Sequence, residues 1–146
     1  MKYLSYQVTL YSSIEFDVDK ELELNGIADY LIGVPPLQIV PASPILAVAE
    51  AKVTDVMTGL GQCIAEMYAV RLFNERDGIF LPKVYGIVTD GKEWMFLELE
   101  NNTVRQQPTI GISQLSQIIG TLVLLFKEQL NQYHLAKEKR DEIIKK

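Results

Sequence analysis

The sequence of 146 residues has little of what several kinds of catalytic site require. Its one cysteine, Cys63, cannot form an internal disulfide. Its one histidine, His134, lies near a charged C-terminal segment and gives little support to histidine-based catalysis. The sequence has no glycine-rich phosphate loop, CxxC pair, HExxH motif or nucleophile elbow. These absences argue against kinases, P-loop proteins, zinc enzymes and serine hydrolases.

Long apolar runs are also lacking. The longest, residues 122–126 with Ile118 and Ile119 just before it, is far shorter than the roughly 20 residues that span a bilayer. The first six residues lack the apolar core and cleavage pattern of a secretory signal. We therefore expect one soluble, cytoplasmic domain over residues 1–146, with no membrane partner. Its net charge of -5 gives no general attraction to nucleic acid, so DNA binding would need a basic patch, a metal ion or a partner.

Hydrophobic periodicity predicts an α/β fold. The predicted strands cover residues 3–11, 21–33, 45–49, 84–89 and 93–98, and the predicted helices cover residues 56–74 and about 113–137. A turn or bulge is expected at Asn25-Gly26, a hairpin turn at Asp90-Gly91, and a stiff connection in the proline-rich residues 34–44. The order of these elements predicts a mixed central sheet flanked by helices.

Three charged residues lie in apolar, strand-like segments: Asp29, Glu50 and Lys52. Burying such groups is costly unless they are paired or bind a metal ion. Magnesium prefers oxygen ligands, so Asp29, Glu50 and the backbone carbonyl of Ala51 form a candidate site for Mg²⁺ or Mn²⁺ if their strands are neighbours. Lys52 is two residues from Glu50 and would share its face of the strand. There an ammonium group could orient water and offset charge on a phosphate.

The arrangement of these residues resembles the PD-(D/E)xK nuclease-like superfamily, and most closely bacterial restriction-endonuclease-like proteins. The motif Gly26-Ile-Ala-Asp29 is followed by Glu50-Ala-Lys52 and by a helix with Gly61-Gln62 and Ala65-Glu66-Met67, and the resemblance covers roughly residues 20–100. It implies a core of helix, three strands, helix and strand. It also implies a Mg²⁺-dependent DNA endonuclease with Asp29 and Glu50 as metal ligands, Lys52 as catalytic lysine and Gln62 as a supporting residue.

The sequence departs from the family pattern in two places. Residues 1–20 predict strand and turn, so the N-terminal core helix of a single nuclease-like domain is not evident, and Ala28 stands where the family usually has proline. A catalytically inactive nuclease-fold module that binds nucleic acid or a protein partner is therefore the alternative function. A structural protein that uses its last helix is a third, and the apolar residues 118–126 suggest a homodimer through that C-terminal helix.

Other interpretations of single residues also stay open. Glu50 and Lys52 could form an exposed ion pair at a strand end. Gln62 could be an amide on a half-buried helix face, and Glu66, one turn further, a solvated carboxylate. Cys63 is expected to be a small buried residue.

Overall fold

A mixed seven-stranded sheet forms the centre of the part of the chain described by the computed structural model, residues 7–145. The strands are β1 (Thr9–Glu15), β2 (Ile27–Gly33), β3 (Ile45–Ala51), β4 (Lys83–Thr89), β5 (Glu93–Glu100), β6 (Thr103–Gln106) and β7 (Ile110–Gly111). Strands β1 to β6 lie side by side in chain order, and β7 pairs with the start of β5. β3 and β4 are parallel, whereas the other pairs are antiparallel. The expected mixed α/β architecture is confirmed.

Two long helices cover opposite faces of this sheet. Helix α1 (Leu60–Arg76) follows a short 3₁₀ turn, and helix α2 (Leu115–Lys145) follows β7. On one face, α1 packs through Met67 against a cluster that includes Val48 of β3. On the other, α2 packs through Ile118 against a cluster that includes Ala47. Since neighbouring residues of a strand point to opposite faces, both faces of β3 are covered, which explains the continuous apolar run of residues 45–49.

The N-terminal strands lie further along the chain than the sequence predicts. Of the expected strand 3–11, residues 3–6 fall outside the described residues, and β1 continues to Glu15. Residues 21–23 form a turn and not a strand, because backbone hydrogen bonds between Asp19 and Leu24 close a loop ahead of β2. The Asp17 carboxylate also accepts a hydrogen bond from Gly26 N. These contacts join residues that are several positions apart in the sequence, so a local hydrophobic pattern does not reveal them.

The other elements agree more closely with the sequence. The Asp90-Gly91 hairpin is confirmed: Asp90 Oδ1 accepts hydrogen bonds from the backbone N–H groups of Lys92 and Glu93, each at 2.8 Å, and Gly91 has a φ of 89°. The Asp55 side chain caps the 3₁₀ turn Val56–Gly59 by accepting from Met57 N. Strands β6 and β7 were not predicted, and α2 extends eight residues beyond the expected end at residue 137.

Helix α2 is only partly buried over its apolar stretch. Ile118 and Leu125 are buried, but Ile119 and Leu124 are 38% and 70% exposed. Deep burial therefore does not explain the whole stretch, and homodimerisation stays a prediction. Among the described residues, none of the helices has the length and apolar character needed to cross a membrane.

Gly86 allows α1 to pack closely on β4. A Cβ at this position would lie 2.6 Å from Met67 Sδ and 2.7 Å from Cys63 Sγ, both on α1. We expect Gly86→Ala to lower the free energy of unfolding by about 1–3 kcal/mol, because α1 must shift to make room. Urea denaturation measures this change. Gly120→Ala is the matched control, since a Cβ there meets nothing within 4 Å and alanine favours the helix. A Gly86→Ala protein as stable as the Gly120→Ala control would contradict the predicted clash.

Candidate active site

Asp29 and Glu50 lie side by side on neighbouring antiparallel strands. Tyr30 of β2 pairs with Ala49 of β3, which places Asp29 at the level of Glu50 on the same face of the sheet. Asp29 Oδ2 accepts a hydrogen bond of 2.9 Å from Ala51 N. The aspartate is thereby attached to the end of the strand that carries the glutamate. The structure thus brings together the three residues predicted as metal ligands.

Glu50 is completely buried, yet neither of its carboxylate oxygens has a hydrogen-bond partner. Burial, then the neighbouring Glu66 carboxylate, then that of Asp29, raise the pKa of Glu50 to about 9. The Lys52 ammonium lies 3.8 Å from Glu50 Oε2, too far for a hydrogen bond, and does not offset these effects. A buried carboxyl group without a partner points to a missing cation or proton.

Lys52 is connected to helix α1 by a chain of side-chain hydrogen bonds. Lys52 Nζ donates to Gln62 Oε1 at 3.0 Å, and Gln62 Nε2 donates to Glu66 Oε1 at 3.3 Å. Gln62 and Glu66 lie one turn apart on α1, so both face the end of β3. Helix α1 therefore positions the ammonium group of Lys52 through Gln62, while the backbone of Lys52 remains at the sheet.

Gly59 gives the Lys52 side chain room to reach this position. A Cβ on Gly59 would lie 3.0 Å from both Cγ and Cε of Lys52, and 2.8 Å from Val88 Cγ1. The aliphatic part of Lys52 therefore lies directly against the turn that precedes α1. Gly59 is not among the site residues predicted from the sequence, since its position between Asp55 and the helix gives no signal of this contact.

Two interpretations of the sequence are wrong in this region. Glu50 is not part of an exposed ion pair, since its side chain has no solvent exposure. Glu66 is not a solvated carboxylate, because its Oε2 is buried without a hydrogen-bond partner and burial raises its pKa. The sequence does contain one signal that Glu66 belongs to the site: it lies four residues after Gln62, on the same face of the helix. Cys63 is buried as expected, and burial followed by Glu66 and Glu50 raises its pKa.

The donor set at the end of β3 is compatible with a hard divalent cation. Asp29 and Glu50 supply carboxylate oxygens, which Mg²⁺ prefers, and Glu50 lacks another partner. Within residues 7–145, no group of three or more His, Cys, Asp and Glu side chains could hold a metal ion. The predicted set is smaller, with two carboxylates and the carbonyl of Ala51. Magnesium commonly binds proteins through one or two carboxylates together with water and substrate phosphates.

Comparisons of the chain with protein-family models, with curated proteins and with solved structures found no match. The superfamily therefore stays a prediction from the residues and motifs quoted above.

Proposed function

We propose that this protein is a Mg²⁺-dependent DNA endonuclease of the restriction-like type, with its site at the end of β3. The observation that carries the proposal is the buried Glu50 carboxylate, which has no hydrogen-bond partner and lies beside Asp29 and Lys52. Proteins rarely keep such a group unless it binds a ligand or acts chemically. A cytoplasmic location is part of the proposal, since the sequence suggests a reducing compartment.

The chain order of the elements supports this proposal. Strands β1, β2 and β3 form an antiparallel meander, α1 crosses one face, and β4 lies parallel to β3. This order is compatible with the three strands, helix and strand that the resemblance implies, although no helix precedes β1 within residues 7–145. Asp29 lies on β2, Glu50 on β3, and Gln62 on the crossover helix. This placement supports the proposal, because it brings the residues of the quoted motifs to neighbouring elements.

The roles of the side chains follow from their positions. Asp29 and Glu50, with the carbonyl of Ala51, would hold the ion, which when bound supplies charge neutralisation and a more acidic water. Lys52 would contact the phosphate and orient the attacking water with its ammonium group. Gln62 would keep Lys52 in place through the hydrogen bond at 3.0 Å. Asp29 would itself be oriented by Ala51 N.

Removal of Asp29 or Lys52 tests this function. We expect the unmodified chain to nick supercoiled plasmid DNA in millimolar Mg²⁺ or Mn²⁺. Asp29→Ala and Lys52→Ala should each lower the rate at least about 100-fold, because each removes several kcal/mol of transition-state stabilisation. Lys137→Ala, at an exposed residue on α2, is the control for loss of a positive charge.

A second measurement separates the ion site from the chemistry. Binding to the folded state stabilises it, so Mg²⁺ should raise the melting temperature of the unmodified chain but not that of Asp29→Ala. Equal cleavage by the unmodified chain and both variants would exclude the proposed site. A chain that neither cleaves DNA nor responds to Mg²⁺ would instead support the inactive binding module.

A further inference from the structure

The orientation of the Gln62 side-chain amide decides whether it can hold the ammonium group of Lys52. An ammonium group only donates hydrogen bonds and an ionised carboxylate only accepts them, whereas an amide has one end of each kind. Gln62 Oε1 lies 3.0 Å from Lys52 Nζ, and Gln62 Nε2 lies 3.3 Å from Glu66 Oε1. The reversed amide would place two donors together at Lys52 and two acceptors together at Glu66. Both neighbours therefore require the same orientation of the amide.

Packing does not fix this orientation, because Gln62 is exposed on the surface of α1. An exposed amide that lacked a partner at one end would regain rotational freedom and turn towards water. Glu66 lies one turn further along the helix, is only partly exposed, and has a buried Oε2 atom. Its Oε1 accepts from Gln62 whether Oε2 is ionised or protonated. Glu66 is thus the more firmly held partner of the amide.

The contacts of Lys52 leave mainly its ammonium group to be positioned. The Cγ and Cε atoms lie against Gly59, and the backbone N–H donates to Thr89 O at 2.8 Å. The Glu50 carboxylate is 3.8 Å from Nζ, beyond hydrogen-bond distance, whereas Gln62 accepts at 3.0 Å. The position of the ammonium group beside Glu50 therefore depends on Gln62, and through Gln62 on Glu66.

We propose that Glu66 is a positioning residue of the site, which fixes the Gln62 amide so that its oxygen faces Lys52. The effect on DNA cleavage rests on the proposed function, because that function gives Lys52 its role. A third ion ligand is not proposed, since no group of three His, Cys, Asp and Glu side chains within residues 7–145 could hold a metal ion. Keeping a partly buried carboxylate is costly, and the positioning role accounts for it.

NMR of the Lys52 side chain tests this role without cleavage. In EDTA, the hydrogens on Nζ should give a signal in the unmodified full chain, because the hydrogen bond to Gln62 slows their exchange with water. Lys52→Ala assigns the signal by its absence. Glu66→Leu removes the acceptor for the amide and should lose the signal, whereas Glu66→Gln keeps an accepting oxygen and should retain it. Glu75→Leu, at an exposed residue of α1, is the control.

The same spectra can contradict the proposal. No Lys52 signal in the unmodified chain, or an unchanged signal in Glu66→Leu, would overturn it. Glu66→Ala is a second variant in case Glu66→Leu does not fold, and it should lose the signal for the same reason.

Cleavage kinetics in saturating Mg²⁺ show whether Glu66 acts through Gln62. Glu66→Leu should lower kcat for plasmid nicking about 10-fold, with KM unchanged, because the ammonium group loses its fixed position. In a Gln62→Leu background the same change should cause no further loss, since both substitutions break one chain of hydrogen bonds. Glu66→Gln should restore most of kcat. Equal losses in both backgrounds would overturn the proposal, as would a Glu66→Gln protein whose melting temperature no longer rises with Mg²⁺, which would make Glu66 an ion ligand.

The two measurements together separate this inference from the proposed function. Loss of the ammonium signal in Glu66→Leu, without cleavage of DNA by any of the chains, supports the positioning role and excludes the nuclease. Cleavage by the unmodified chain, with both signal and kcat unchanged in Glu66→Leu, overturns the positioning role and leaves the nuclease intact.

Discussion

Replacing Glu50 with glutamine is expected to raise the melting temperature in EDTA at neutral pH and to abolish any further rise on adding Mg²⁺. The ionised form of Glu50 is unfavourable in the folded chain, because the group is buried without a hydrogen-bond partner and lies beside Glu66 and Asp29. Glutamine of similar shape is uncharged, and its amide can donate to these two carboxylates. A gain on the order of 3 kcal/mol corresponds to about 6–12 °C for a chain of this size.

The gain in stability from Glu50→Gln should increase as the pH rises. The pKa of Glu50 is raised to about 9 in the folded chain, compared with an ordinary value of 4.5. At pH values between these two limits, the unfolded chain has released a proton that the folded chain still holds. The contribution of Glu50 to stability therefore falls as the pH rises through this range, and it is fully present below pH 4.5.

Melting curves in EDTA at several pH values measure this effect. The difference between Glu50→Gln and the unmodified chain should be near zero at acidic pH and grow towards pH 9. Glu75→Gln, at an exposed residue of α1, is the control and should show no such trend. A constant difference across the range would mean that Glu50 is not held protonated by its surroundings.

Substitution of Asn74 by alanine is expected to destabilise the fold more than loss of any exposed side chain. Asn74 is 2% exposed, and its amide pairs with both backbone groups of Ile45. Oδ1 accepts from Ile45 N at 2.8 Å, and Nδ2 donates to Ile45 O at 2.9 Å. Alanine would leave both groups of Ile45 buried and unpaired, at a cost of about 1–3 kcal/mol each. We expect a loss of about 3–5 kcal/mol in the free energy of unfolding.

Urea denaturation of Asn74→Ala checks this value, with Asn131→Ala on the exposed surface of α2 as control. Asn74→Asp is a sharper comparison, because aspartate can still accept from Ile45 N but cannot donate to Ile45 O when ionised. It should be less stable than the unmodified chain at neutral pH. A cost below about 1 kcal/mol for Asn74→Ala would show that Ile45 finds other partners.

Much of the fold is predictable because its signals are local. The Asp90-Gly91 turn depends on side-chain hydrogen bonds within three residues, so it is visible in the sequence. Residues 45–49 of β3 are all apolar because both faces of the strand are covered, and that pattern is also local. Strands β6 and β7 are too short to give a pattern. The loop before β2 depends on contacts such as that between Asp17 and Gly26, nine residues apart.

The candidate site likewise has some properties that the sequence predicts and others that it does not. The residue types and spacing of Asp29, Glu50, Lys52 and Gln62 are properties of the sequence alone, and the resemblance that they carry predicts a metal-dependent nuclease. Their burial is not a local property. That Glu50 has no exposure, that Glu66 lies against it and that Gly59 makes room for Lys52 depend on how α1 crosses the sheet. The sequence determined which chemical groups are available, and the tertiary structure decided which are dehydrated, because burial depends on neighbours distant in the chain.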